Sequence, residues 1–155
     1  MSNGTVYDFY TAPQNNFIGS GYLIDVKINS VSATSSVLMA NGTYAPITAL
    51  KTGESVYGYN ATTHQPTTGT VTAVGSRLAT TEYVINGVLQ VDPEAYLLVN
   101  GVRTSVQDLK VGDTVQLGNG ATVRVSSIRL LHGIFLVYDV GTTSGSYVVN
   151  GYVIE

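Results

Sequence analysis

The chain has 155 residues and a net charge of −3, and only 11% of its residues are charged, so it offers no basic stripe for nucleic acid. Cysteine is absent, which excludes disulfides, thiolate nucleophiles and cysteine-type zinc sites. No apolar run approaches the roughly 20 residues of a membrane helix, and MSNGTVYDFY lacks the basic and apolar regions of a signal peptide, so a soluble chain made in the cytoplasm is expected.

Seventeen glycines, eleven tyrosines and abundant Val and Thr favour β-structure with many tight turns. Residues 1–21 are polar and aperiodic, with Tyr7, Phe9, Tyr10 and Phe17 scattered among them. They read either as a solvated tail or as an arm whose aromatics are interface candidates for a neighbouring subunit. Residues 22–29, YLIDVKIN, alternate as a half-buried strand does. The expected division is an arm and leading strand at 1–29, then one β domain at 30–155.

Within that domain, strands are expected at 37–40, 55–59, 70–74, 82–85, 88–91, 96–99, 113–117, 123–131, 135–140 and 147–154. Asn-Gly pairs at 41, 86, 100 and 150 supply hairpin turns. One short helical turn is expected near 46–50, and a copy of it near 105–109. No apolar 3.6-residue period is long enough to define a true helix.

The chain repeats itself. Residues 37–57, VLMANGTYAPITALKTGESVY, return as 97–116, LLVNGVRTSVQDLKVGDTVQ. Asn41-Gly42 matches Asn100-Gly101, Ile47 matches Val106, Leu50-Lys51 matches Leu109-Lys110, and Gly53-Glu54 matches Gly112-Asp113. A single offset of 59 positions, as from Asn41 to Asn100, relates every pair. A shorter echo, SYVVNG, closes the chain beside AYLLVNG at 95–101. The pattern predicts an all-β fold built from two related halves.

These residues resemble the Hint fold of inteins, hedgehog autoprocessing domains and bacterial intein-like domains. Ser30, Asn41-Gly42, Pro46-Ile47 and Leu50–Val56 resemble the family's opening nucleophile, turn and "PI..LK.GD.V" segment. Residues 91–95, VDPEA, resemble its central "V-T-P-x-H", and Val137-Tyr138-Asp139 with 147–154 resembles its closing motif. The resemblance covers 30–155, without an endonuclease insertion, and implies a pseudo-two-fold horseshoe of hairpins.

The family's chemistry is acyl rearrangement, in which a side-chain nucleophile attacks the preceding carbonyl. It needs a proton donor for the departing amine and stabilisation of the oxyanion. By the resemblance the nucleophile falls on Ser30, after Asn29. The family's Thr falls on Asp92, its central His on Ala95 and its penultimate His on Glu155. Ser144, Gly145 and Ser146 offer no acid or base. Losing one acid/base group costs roughly 10²–10⁴-fold in rate. The expectation is therefore a catalytically inactive structural or assembly protein, with no cofactor and no metal. Its partners would be proteins, including copies of itself, and a virion component such as a phage capsid-decorating, neck or tail protein is the expected use. The alternative is a Ser-dependent self-processing domain that cleaves at Asn29–Ser30. A third reading is a glycan- or ligand-binding module using surface tyrosines.

His64 is expected in a solvated loop and His132 at a strand turn. Asp92 and Glu94, two residues apart, point to one side of an extended chain. They read as a solvated turn, or less simply as a cation site.

Overall fold

The computed structural model describes residues 29–155. Residues 1–28, with Tyr7, Phe9, Tyr10 and Phe17, lie outside the described residues. The order is β1 (Val31–Ser32), β2 (Ser36–Leu38), β3 (Tyr44–Pro46), β4 (Ser55–Asn60), β5 (Gln65–Ile85), β6 (Leu89–Val91) and β7 (Tyr96–Val99). Then come β8 (Val102–Ser105), β9 (Thr114–Gln116), β10 (Thr122–Arg124), β11 (Ile128–Thr142), β12 (Tyr147–Val149) and β13 (Tyr152–Ile154). Single 3-10 turns lie at Ile47–Ala49 and Val106–Asp108, where the sequence places its two helical turns.

The strands form two antiparallel sheets. One runs β11-β1-β6-β5-β4, and β11 also pairs with β5, so part of it closes on itself. The other runs β10-β9-β7-β13-β12-β2-β3, with β8 on β7. No helix among the described residues is long and apolar enough to cross a membrane.

The repeat is visible in the hydrogen bonds. The Lys51 amide donates to the Glu54 carboxylate at 2.8 Å, and the Lys110 amide donates to the Asp113 carboxylate at 2.8 Å. Gly53 N donates to Val71 O and Gly112 N to Val125 O, each at 2.8 Å. Ile47 and Val106 anchor the two 3-10 turns in the core, with at most 1% of either exposed. Each such side chain removed from water contributes roughly 1.5–3 kcal/mol. Asn86, Asn100 and Asn150 all have positive φ, as do the glycines that follow them. That is the backbone a two-residue type I′ hairpin needs.

Several expected boundaries move, and 147–154 is the hairpin β12–β13 rather than one strand. Residues 70–74 and 82–85 belong to one strand of 21 residues, β5, and 135–140 lie inside the 15-residue β11. These two strands pair from Val71 to Ile85 with a register shift between His132 and Phe135. Gly75, Ser76, Thr80 and Thr81 look like a loop in sequence. Their backbone nevertheless continues the ladder, because one side of this ribbon faces solvent and needs no apolar residues. The expected strand at 123–131 is split at 125–127 instead, where Asn86 reaches across to bond Ser126 and Ser127.

Packing concentrates in one core, containing Val31, Val37, Ile47, Val56, Ile85, Leu89, Val91, Ala95, Leu97, Val115 and Tyr147 among others. Registers Val31↔Val91, Val31↔Tyr138 and Tyr83↔Val91 align four strands at one level. That level sits directly beside Ser30.

Candidate functional site at Ser30

Asn29 and Ser30 precede β1 and are almost wholly buried. The Asn29 amide nitrogen donates to Val140 O at 2.8 Å, and Val140 N donates to Asn29 Oδ1 at 3.0 Å. The side chain thus makes the bonds that a paired strand residue would otherwise make. This fixes the Asn29–Ser30 peptide bond against β11.

Ser30 does not behave as an ordinary strand-edge serine. Its hydroxyl donates to Asp139 Oδ1 in a very short hydrogen bond, and it accepts from Arg77 Nη2 at 2.6 Å. Asp139 comes from β11, where Val31↔Tyr138 sets the register. Arg77 comes from β5, opposite Val137. The guanidinium also reaches Asp139 Oδ2 at 3.5 Å, Asp92 Oδ2 at 3.4 Å and Glu94 at 3.9 Å.

Asp92 is therefore no solvated turn residue. It is only 5% exposed, whereas Glu94 stays exposed. The two acids do converge as their spacing suggests, and the cation between them is the arginine. Asp92 Oδ1 accepts from Glu94 N, which shapes the turn that carries Ala95. Asp92 N donates to Ser30 O at 2.9 Å. Ala95 lies in this turn, fully buried, in the core.

Tyr147, at the start of β12, is fully buried and points its hydroxyl at Asn29, 3.4 Å from both the backbone O and Oδ1. Burial, and then the charge of Asp139, push its phenol well above the ordinary range. It stays a neutral O–H donor beside the Asn29 carbonyl. A cleft of about 310 Å³ lined by Arg77, Asp92, Pro93, Glu94 and Gln107 opens the site to solvent.

The arrangement can take a proton from Ser30 at Asp139, hold positive charge near the reacting oxygen with Arg77, and donate to an oxyanion from Tyr147. It holds no side chain at Ala95 able to move a proton. Ser144 and Ser146 lie in a separate hydroxyl-rich region, where Ser146 Oγ bonds both polar backbone atoms of Tyr59. Glu155 lines a cleft there with Tyr59, Asn60 and Ser144. His64 is exposed in a turn with φ 58°, and His132 is exposed beside the β11 bulge.

Sequence reasoning missed Arg77, Asp139 and Tyr147 as site members. Asp139 carried two signals, an acid inside the apolar run IFLVYDV and its place in the closing segment Val137-Tyr138-Asp139. Arg77 carried none.

No protein-family model matches the chain. No curated protein matches it either. Solved structures do. A bacterial intein-like domain from Clostridium thermocellum superposes with TM-score 0.75 at 22% identity, covering 83% of this chain and 99% of that one. A DnaB intein from Synechocystis sp. PCC 6803 gives 0.69 at 17%, covering 81% and 96%. The TvoVMA intein gives 0.70 at 19%, covering 81% and 96%. The fold class is thereby fixed: an all-β, intein-like scaffold. Residues 29–155 carry the Hint fold, in the compact form of mini-inteins and bacterial intein-like domains.

Proposed function

We propose that this chain is a self-processing Hint domain that acts on its own Asn29–Ser30 bond. One observation carries the reading: the Ser30 hydroxyl donates to the Asp139 carboxylate while the Tyr147 hydroxyl stands 3.4 Å from the Asn29 carbonyl oxygen. The nucleophile, its base and an oxyanion donor surround a single peptide bond.

The step balances without a cofactor. Asp139 takes the hydroxyl proton as Ser30 Oγ bonds the Asn29 carbonyl carbon. Charge collects on the carbonyl oxygen, beside Tyr147. The carbon–nitrogen bond then breaks and the Ser30 nitrogen takes up a proton. The product is an ester between residues 29 and 30, which water or an added nucleophile opens. The long Tyr147 contact shortens as that oxygen gains charge, since such contacts often tighten only along the reaction. Such a domain acts once on its own chain, so it is not a turnover enzyme.

The test is the mass of the purified chain after incubation with hydroxylamine. A hydroxamate-ended fragment 1–29, absent from Ser30→Ala, supports the reading. An intact chain after prolonged incubation overturns it.

A second reading, an assembly protein on an inactive scaffold such as a virion component, is favoured by two observations. Ala95 occupies the position where the resemblance places a histidine. The β5–β11 ribbon also leaves Leu78, Ile134 and Leu136 exposed at 68%, 78% and 44%. Leu78 and Leu136 are register partners, so they present one continuous apolar face. Sedimentation of the chain against a Leu78→Lys/Leu136→Lys variant tests this. An assembly that persists with both charges in place removes the ribbon as its interface.

A further inference from the structure

Glu82 lies in β5, fully buried, and the site described above does not use it. Its Oε1 accepts a very short hydrogen bond from Gln90 Nε2, and its Oε2 has no partner. A buried carboxyl oxygen without a partner is costly unless it carries a proton or serves a purpose.

Its position is specific. β6 pairs with β5 through Tyr83↔Val91 and with β1 through Val31↔Val91. One step further along each strand, Glu82, Asp92 and Ser30 form a cross-strand row. The bond from Asp92 N to Ser30 O confirms the Ser30–Asp92 part of it. Adjacent strands are about 4.8 Å apart, so Glu82 sits two strands from Ser30 with Asp92 between them.

The row lies on the side where the Ser30 backbone oxygen meets Asp92 N, within the same residue as the Ser30 nitrogen. That nitrogen needs a proton when the peptide bond breaks, and Ala95 cannot give one.

We propose that Glu82, acting through Asp92, supplies the proton taken up by the departing Ser30 amine, replacing the acid that Ala95 lacks. The inference rests on the self-processing reading. As the carbon–nitrogen bond breaks, the Asp92 carboxylate takes the proton of Glu82 and passes it to the nitrogen. Asp139 keeps the proton it took from the hydroxyl, and Glu82 ends as the carboxylate. No other reactant is required.

The charged surroundings fit this role. Arg77 spends its contacts on Ser30, Asp92, Glu94 and Asp139. On β11, Glu82 is opposite the apolar Leu131, with His132 opposite Thr81 and Arg129 opposite Val84. Burial foremost, and the charge of Asp92 in addition, raise the Glu82 carboxyl above its usual range, against the opposing Gln90 hydrogen bond. Two acids that share a site commonly keep one proton between them.

The experiment compares the rate of Asn29–Ser30 cleavage against pH in the full chain and in Glu82→Gln. In the natural chain the rate falls on the alkaline side as Glu82 empties. In Glu82→Gln the rate at neutral pH drops at least tenfold and that limb disappears, with the melting curve retained. Cleavage by Glu82→Gln at the natural rate with the same limb overturns this inference and leaves self-processing standing. No cleavage by the natural chain overturns both. Should Glu82→Gln fail to fold, the Glu82 side-chain carbon in Ser30→Ala is titrated by NMR. A carboxyl that titrates in the ordinary range, unmoved by Asp92→Asn, overturns the proposal.

Discussion

Arg77 Nη2 donates to Ser30 Oγ at 2.6 Å across a sequence separation of 47 residues, and the same nitrogen lies 3.4 Å from Asp92. One guanidinium therefore fixes the hydroxyl and neutralises the acids that crowd it. Arg77→Met should leave the Asp92 and Asp139 side chains, 7% and 12% exposed, without their counter-ion. Stranding fully buried charges costs about 3–5 kcal/mol. Arg77 is itself 38% exposed, so water replaces part of it, and a loss of about 2 kcal/mol is expected. Urea denaturation of the Ser30→Ala chain measures it, and a change below about 0.5 kcal/mol would refute the pairing as a structural element.

Asn29 makes the second long-range tie. Asn29→Ala strands the N–H and C=O of Val140, both bonded to its side chain. Buried groups left unpaired cost about 1–3 kcal/mol each, so a loss of roughly 2–3 kcal/mol is expected. Hydrogen exchange gives a local check: the Val140 amide should lose protection before the rest of β11. Uniform protection along β11 would show that Asn29 is not its closing partner.

How much of this was legible follows from contact range. The two-fold plan was readable because Ile47 and Val106, and Glu54 and Asp113, do the same local work at matched positions. Glu54 and Asp113 each close a turn onto an amide three residues back, which spacing alone exposes. The Ser30 position was readable only as a place in a pattern. Its partners are Asp139 and Arg77, 109 and 47 residues away, and which strand lies beside β1 decides them. Strand order cannot be read from alternation. The same limit made Asp92 look solvated: an acid beside a proline usually is, and Arg77, with the Glu94 amide, makes its burial tolerable. The middle of β5 was missed because its polar alternation is what a one-sided ribbon produces.

Gly118 has no positive φ, so its smallness is a matter of space. A Cβ there would meet both methyl groups of Val148, at 2.6 and 2.7 Å. Val148 is fully buried and cannot move aside. Gly118→Ala should cost about 1–3 kcal/mol. The double variant Gly118→Ala/Val148→Ala should be more stable than the sum of the single losses predicts, because the second change opens the space. Strict additivity would show that the contact is not what selects glycine.

The buried titratable groups fix the sign of the pH dependence. In the unfolded Ser30→Ala chain Glu82 releases its proton near the ordinary 4.5, while in the folded protein it holds that proton to higher pH. Between those two values the folded state binds more protons than the unfolded one, so stability falls as pH rises. The Glu82 contribution is fully present below the unfolded value and is lost as pH passes the folded one. Tyr147 repeats the pattern at the alkaline end, because its folded phenol is held well above 10. Glu82→Gln should flatten the acidic-to-neutral slope and leave the alkaline one, whereas Tyr147→Phe should do the reverse. Denaturant midpoints of the three chains across pH measure both slopes. If Glu82→Gln keeps the acidic-to-neutral slope of its parent, the buried carboxyl is not its source, and the row from Ser30 through Asp92 loses its terminal acid.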